Sequence, residues 1–252
     1  MRRTALVTGG ALRIGRAIVE DLAAHGWAVA IHHNRSGDAA AALAAEIGAR
    51  GGQAAAVAGD LADLAAPGRI MATANKALGP IGLLVNSASV YLQDDYGALD
   101  GVIMEHQLRV NLLAPLLLQD AFVRQLPEGE DGLVVQIVDQ RVLKPVPTQV
   151  SYMLSKAGLA MAIKTAAQAL APRVRVNGIA PGPTLKAEAQ SAAEFQAQVD
   201  TVPLRRGPDL AEFGRLVRAM VDLPSMTGQM VAIDGGQHLA WQTPDVVGGG
   251  AG

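Results

Sequence analysis

The feature that most limits what this chain can fold into is a repeated alternation of a short apolar run, a turn and a longer helical pattern. Seven apolar runs are legible, at residues 4–8, 27–32, 53–58, 81–86, 133–138, 173–177 and 229–233, with helical stretches near 14–25, 38–49, 61–78, 98–126, 150–170 and 208–222. Several runs are apolar almost throughout, as strands covered on both faces are. Strands that alternate with helices pair in parallel and cross over right-handed. The pattern therefore predicts an α/β fold: a doubly wound parallel sheet of about seven strands with helices on both faces.

At 252 residues and 50% hydrophobic, the chain buries a sizeable core, and residues 1–242 read as a single domain. The polar, helix-prone stretch 183–206 reads as a substrate-covering lobe, and the glycine-rich 243–252 as a mobile tail. With 21 basic and 23 acidic side chains, the charge balance recommends neither nucleic acid nor an anionic membrane as partner. No cysteine is present, which removes thiolate catalysis and cysteine-ligated metal. His25, His106 and His238 show no metal-ligand spacing, so no metal is expected. No apolar run has the length of a signal peptide or membrane span, and a cytoplasmic protein is expected.

The first strand ends in Thr8-Gly9-Gly10-Ala11-Leu12-Arg13-Ile14-Gly15, where a helix begins. Glycines permit a tight turn, and the helix N-terminus behind them offers N–H groups and a positive dipole end to a pyrophosphate. Between a first strand and a first helix this is the context of a dinucleotide site, and the sheet becomes Rossmann-type. An unphosphorylated adenosine ribose calls for an acid at the end of the second strand. Here the strand ends Ile31-His32-His33-Asn34-Arg35-Ser36. Arg35 is suited to pair with a 2′-phosphate, Asn34 and Ser36 to hydrogen-bond it, and Arg13 to add charge, so NADPH/NADP+ is the expected cofactor. Asp60, followed by Leu61, is placed to accept from the adenine amino group, although a helix N-cap would read the same way.

Tyr152 and Lys156 lie four residues apart, on one face of a helix. A free tyrosine is a poor proton donor near neutrality, and a neighbouring ammonium stabilises its phenolate, so the pair is a candidate acid/base with a lowered tyrosine pKa.

Thr8-Gly9-Gly10 to Gly15, Asn86-Ser87-Ala88, Asn111, Tyr152 to Lys156, Pro181-Gly182 and Asp234-Gly235-Gly236 together resemble the short-chain dehydrogenase/reductase family over nearly the full chain. The resemblance implies that Tyr152 donates the proton, that Lys156 also holds the nicotinamide ribose and that Asn111 supports a water relay. It places Gly9, Ile14, Gly15, Leu61, Asn86, Ala88, Ser89, Pro181 and Gly182 along the cofactor. It also implies a homotetramer, with which the apolar run Leu112, Leu113, Leu116, Leu117 and Leu118 is compatible, as it is with an ordinary buried helix.

One departure redirects the substrate. Thirteen residues before Tyr152, where the family has a serine, stands Asp139. An ionised carboxylate cannot donate to a carbonyl oxygen, but it accepts from an N–H group, or donates where burial keeps it protonated. Both abilities suit reduction of a C=N bond in a nitrogen heterocycle. With Arg13 in the first turn, Ser89-Val90-Tyr91 after the fourth strand and the polar set 32–36, the chain is similar to the pteridine reductases and dihydromonapterin reductases of that family. In those enzymes an aromatic at the Tyr91 position stacks on the pterin. The expected function is an NADPH-dependent reductase of a reduced pterin or folate-like small molecule, with Arg13, Ser89, Tyr91, Asp139 and Tyr152 at the substrate. A generic reductase of ketones, acyl thioesters or sugars, and a non-catalytic NADPH-binding protein, are the alternatives. His238 and Trp241 follow the last strand, where either the pocket or an interface would use them.

Overall fold

The computed structural model describes residues 1–186 and 190–241; the expected tail at 243–252, and 187–189 within the expected lobe, lie outside the described residues. Seven strands, β1 (Thr4–Thr8), β2 (Ala28–His33), β3 (Ala54–Ala58), β4 (Leu83–Asn86), β5 (Gly132–Ile137), β6 (Val174–Pro181) and β7 (Met230–Ile233), form one sheet. Its order is β3-β2-β1-β4-β5-β6-β7, parallel throughout.

Adjacent residues of the central strands feed opposite cores. Leu6, Leu84, Val134 and Val176 face one layer of helices, α3 (Ala66–Leu78), α5 (Ala114–Gln125) and α6 (Val150–Leu170). Val7, Val85 and Val135 face the other, α1 (Arg13–Ala24), α2 (Gly37–Ala49) and, further along the chain, α8 (Leu210–Asp222). Strands sandwiched this way have no polar face, which is why they read as unbroken apolar runs. The strand order reverses between β1 and β4, and the crevice beyond their carboxyl ends is where such sheets bind ligands.

The stretch expected as one helix over 98–126 is interrupted. It comprises α4 (Gly101–Leu108), a π-helical turn at Arg109–Leu113, and α5. Ala114 N–H reaches back to the Arg109 carbonyl, and Pro115 has no N–H to offer the carbonyl of Asn111. The helix expected from residue 61 begins at Ala66, because Asp60 and Asp63 each bond a main-chain N–H two residues on and hold 60–65 as turns. β6 runs to Pro181, beyond the expected 177, carried by its register with β5 and β7. Within the expected lobe, α7 (Ala192–Asp200) starts from a capping box of Ser191 and Glu194.

Candidate active site

The turn after β1 is built to lie flat and bare. Gly9 sits at φ +61°, and a side chain there would bring a Cβ within 3.0 Å of Ala88 Cα; one at Gly15 would drive into the Gly9 carbonyl. Thr8 Oγ1 accepts from Ser87 N–H at 2.9 Å and Ala88 N–H at 3.0 Å, tying the end of β1 to the end of β4. On the other side stands His32. Gly9 N–H donates to its Nδ1 at 3.2 Å, which leaves the proton on Nε2, 3.1 Å from the Gly59 carbonyl. Burial lowers the His32 pKa from 6.5 to about 4, so the ring is a neutral brace among three strand ends.

Around this turn the predicted cofactor residues divide into two groups. Asn34 and Arg35 are exposed, and among the described residues the Arg35 guanidinium has no hydrogen-bond or ion-pair partner. Ser36 occupies the N-cap of α2, with its hydroxyl unused for capping. Arg13, at φ +53°, donates from both terminal nitrogens to the carbonyls of Lys186 and Leu185, at 3.3 and 3.4 Å. Ile14 is half-buried beside it. Ser89 is exposed at the crevice, its hydroxyl on Asn111 Oδ1 at 3.1 Å. Other side chains point inward. Leu61 lies in the core, and Asn86 is buried with its Nδ2 on the Pro115 carbonyl, so only their main chains are available to a ligand. Asp60 has one carboxylate oxygen on Ala62 N–H and caps a turn rather than a helix. Pro181 ends β6, and Gly182 N–H donates to Ile233 O at 3.1 Å.

Across the crevice, α6 presents Tyr152 and Lys156 one turn apart, both buried. Tyr152 O–H donates to Asp139 Oδ2 at 2.9 Å, and Asp139 Oδ1 accepts from Arg141 N–H at 2.8 Å. Lys156 Nζ donates to the Ile137 carbonyl at 3.0 Å and lies 5.7 Å from the centre of the Tyr152 ring. This geometry corrects the expected tyrosine. Burial, then the negative charge of Asp139 and the bond to it, push the Tyr152 pKa well above 10, so the hydroxyl keeps its proton at neutral pH. Burial lowers Lys156 from 10.5 to about 8.

The Tyr91 ring packs edge-on against Tyr152, centroids 4.8 Å apart at 83°. Its hydroxyl accepts from Arg141 Nη1 at 3.2 Å, and the guanidinium also bonds Gln149 Oε1 at 3.3 Å. Tyr91 remains 45% exposed, which leaves ring surface for a ligand. Asn111 is buried and its amide is taken up by Ser89, Val90 and Ser155, so a water relay at this residue would have to use its main-chain carbonyl. A short 3₁₀ turn at Gln237–Leu239 packs beside Gln140–Val142, with Lys144 Nζ on the Ala240 carbonyl at 3.1 Å. His238 Nδ1 lies 2.7 Å from Asp234 Oδ2, and Trp241 is exposed.

Sequence reasoning missed His32, Gln107 and Arg141. His32 had a signal, a polar residue inside an apolar strand. Arg141 follows Asp139 by two residues, but only the fold turns it toward Tyr91.

A parallel sheet with a glycine turn at its switch point and a Tyr-Lys pair across the crevice defines a nucleotide-dependent oxidoreductase. The chain belongs to the short chain dehydrogenase family, whose pattern it matches over residues 3–197. Two crystal structures of a protein described as FolM alternative dihydrofolate reductase 1 resemble it far more than a shared fold requires. The one from Brucella suis, in complex with NADP, is 52% identical with a TM-score of 0.94, covering 97% of this chain and 99% of its own. The one from Brucella canis, complexed with NADP, is 51% identical with a TM-score of 0.92, covering 96% and 97%. More distantly, an L-rhamnose 1-dehydrogenase (NAD(P)(+)) of Azotobacter vinelandii is 30% identical, covering 95% of this chain and 98% of its own.

Proposed function

We propose that this protein is an NADPH-dependent reductase of a reduced pterin or folate-like substrate. The observation that carries the reading is the Tyr152–Asp139 hydrogen bond at 2.9 Å beneath the edge-packed Tyr91 ring: a carboxylate stands where carbonyl reduction would want a neutral hydroxyl. The neighbours described as alternative dihydrofolate reductases support it.

The residues present suit the cofactor, since a flat glycine turn at a helix N-terminus takes a pyrophosphate and Arg35, without a partner among the described residues, takes a 2′-phosphate. Gly9, Arg13, Ile14, Gly15, Asn34, Arg35 and Ser36 would hold the phosphates, with Asp60, Leu61, Asn86, Ala88 and Ser89 along the nucleoside and Lys156, Pro181 and Gly182 at the nicotinamide end. When bound, NADPH supplies the hydride.

The chain supplies the proton. Tyr152 holds it at the hydroxyl and gives it to a substrate nitrogen; the Asp139 carboxylate then takes up a proton from solvent and passes it along the Tyr152–Asp139 bond to the phenolate left behind. Lys156 keeps a cation beside the pair. Tyr91 supplies the stacking face, and Arg141 fixes that ring through its hydroxyl. Residues 183–206, which include α7, are the substrate-covering lobe of this reading.

We further propose a cytoplasmic location and a homotetramer, the assembly supported by the exposed apolar Leu113, Leu117, Leu154 and Met161 on α6 and on the stretch running from the π turn into α5. NADPH oxidation against dihydropterins, dihydrofolate, quinonoid dihydropterin, acetoacetyl thioesters and simple ketones tests the function. Turnover of the first three classes above the last two is expected, and the reverse order refutes it.

A further inference from the structure

The extended segment leaving β4 is gripped from behind by two buried side-chain amides. Val90 N–H donates to Asn111 Oδ1 and Asn111 Nδ2 donates to the Val90 carbonyl, both at 2.8 Å. One turn earlier, Leu92 N–H donates to Gln107 Oε1 at 2.9 Å and Gln107 Nε2 donates to the Leu92 carbonyl at 3.3 Å. A primary amide offers a donor and an acceptor side by side, as a peptide does. Gln107 and Asn111 therefore stand in for a neighbouring strand and take alternate residues, 90 and 92. Side chains of an extended segment alternate faces. Val90 packs against the core, and Tyr91 falls on the opposite face, where its ring meets Tyr152.

The same amides reach α6. Gln107 Nε2 donates to Ser151 Oγ at 2.5 Å and Asn111 Nδ2 to Ser155 Oγ at 3.3 Å, the two serines lying one turn apart on either side of Tyr152. All four side chains are fully buried. A buried amide without partners costs free energy, so Gln107 belongs here only while it holds the loop and the helix together.

We propose that Gln107 is a positioning residue for the substrate-stacking ring: it fixes the Leu92 peptide to α6 and so sets Tyr91 against Tyr152. The proposal deepens the pterin reading and rests on it. Gln107→Met fills a similar volume with no donor and only a weak thioether acceptor. Hydrogen exchange of a peptide spanning 89–95 reads the clamp without substrate, and steady-state kinetics with a dihydropterin reads its consequence.

Faster exchange at Leu92 is expected, with unchanged NADPH affinity. The dihydropterin KM should rise about two- to tenfold, the span of one aromatic contact, at nearly constant kcat. Combining Gln107→Met with Tyr91→Ala should raise KM no further than Tyr91→Ala alone, and Gln107→Glu, kept protonated by burial, should restore most of the parent KM. Unchanged exchange overturns the proposal. So does a KM rise undiminished in the Tyr91→Ala background, or a loss of kcat and NADPH affinity with KM unmoved, which marks a general structural role. If Gln107→Met does not fold, Ser151→Ala, which removes only the anchor on α6, carries the same measurements with the same expected direction. A parent enzyme that turns over no dihydropterin refutes the pterin reading alone, and the exchange experiment still decides the clamp.

Discussion

His32 gives the site an acid limit that can be computed from its surroundings. Its folded pKa is near 4, against 6.5 for a free imidazole, because burial disfavours the charged ring by more than the bond to the Gly59 carbonyl favours it, while Gly9 N–H occupies the nitrogen a second proton would take. A histidine whose folded pKa is lowered contributes no penalty above 6.5, where both states are neutral. Stability is then lost as pH falls, because only the unfolded chain takes up the proton. At pH 5 the unfolded imidazole is about 1.5 units below its pKa while the native ring is still neutral, which costs about 2 kcal/mol relative to pH 7.

Urea unfolding of the parent and of His32→Gln at pH 7 and pH 5 isolates this share, since every other titrating group is common to both. The parent should lose about 2 kcal/mol more than the variant between the two pH values. Below pH 4 the proton enters the native ring, Gly9 N–H loses its acceptor, and NADP+ affinity should fall in the parent with no matching step in the variant. Equal losses of stability in the two proteins would refute the reasoning.

Arg35→Ala should remove most of a preference for NADPH over NADH, about ten- to a hundredfold in Kd, measurable by fluorescence titration with both cofactors. Lys156→Met should abolish turnover yet raise the melting temperature at pH 7. The native ammonium, lowered from 10.5 to about 8, costs the fold up to about 3 kcal/mol below pH 8 and less as pH rises toward 10.5, so the stability gain should shrink over that interval. Tyr91→Phe should keep most of the pterin affinity, and Tyr91→Ala should raise KM several-fold, about 0.5–1.5 kcal/mol, in steady-state assays.

How much of this was legible follows from which interactions are local. The sheet could be read because buried parallel strands need unbroken apolar runs, and the Tyr152–Lys156 pair because helical spacing puts them on one face. The break in the 98–126 helix was written in Pro115, yet apolar periodicity continues across it and hides the change of pitch. The depressed tyrosine pKa was expected from Lys156, the neighbour in sequence. What governs Tyr152 is its burial and Asp139, 13 residues away in sequence and 2.9 Å away in space. Gln107 was illegible for the same reason, and His32, though its polarity inside an apolar strand marked it, did not disclose its role: each acts on main-chain groups of distant segments, and no spacing rule encodes those.

Asp139 does not stand alone, and this sets what its replacement can do. Its carboxylate accepts from Tyr152 O–H and Arg141 N–H, with Lys156 buried nearby and the Arg141 guanidinium on Tyr91. A partly buried charge is tolerated when neighbours of opposite sign and hydrogen-bond donors surround it. Asp139→Asn keeps the shape but carries no ionisable proton and no charge. It should reduce pterin kcat by about 10²–10⁴, the range of general acid catalysis, with NADPH affinity nearly unchanged. Asp139→Ser restores the common family residue but leaves Arg141 and Lys156 without their anion, two cations facing a site shaped for a heterocycle. It should lose pterin reduction to a similar extent, and any gain on simple ketones should appear chiefly when Arg141→Leu is added. Single-turnover rates with NADPH separate these effects from product release. Full pterin kcat in Asp139→Asn would show that the carboxyl group moves no proton and that Tyr152 and Lys156 carry the chemistry by themselves.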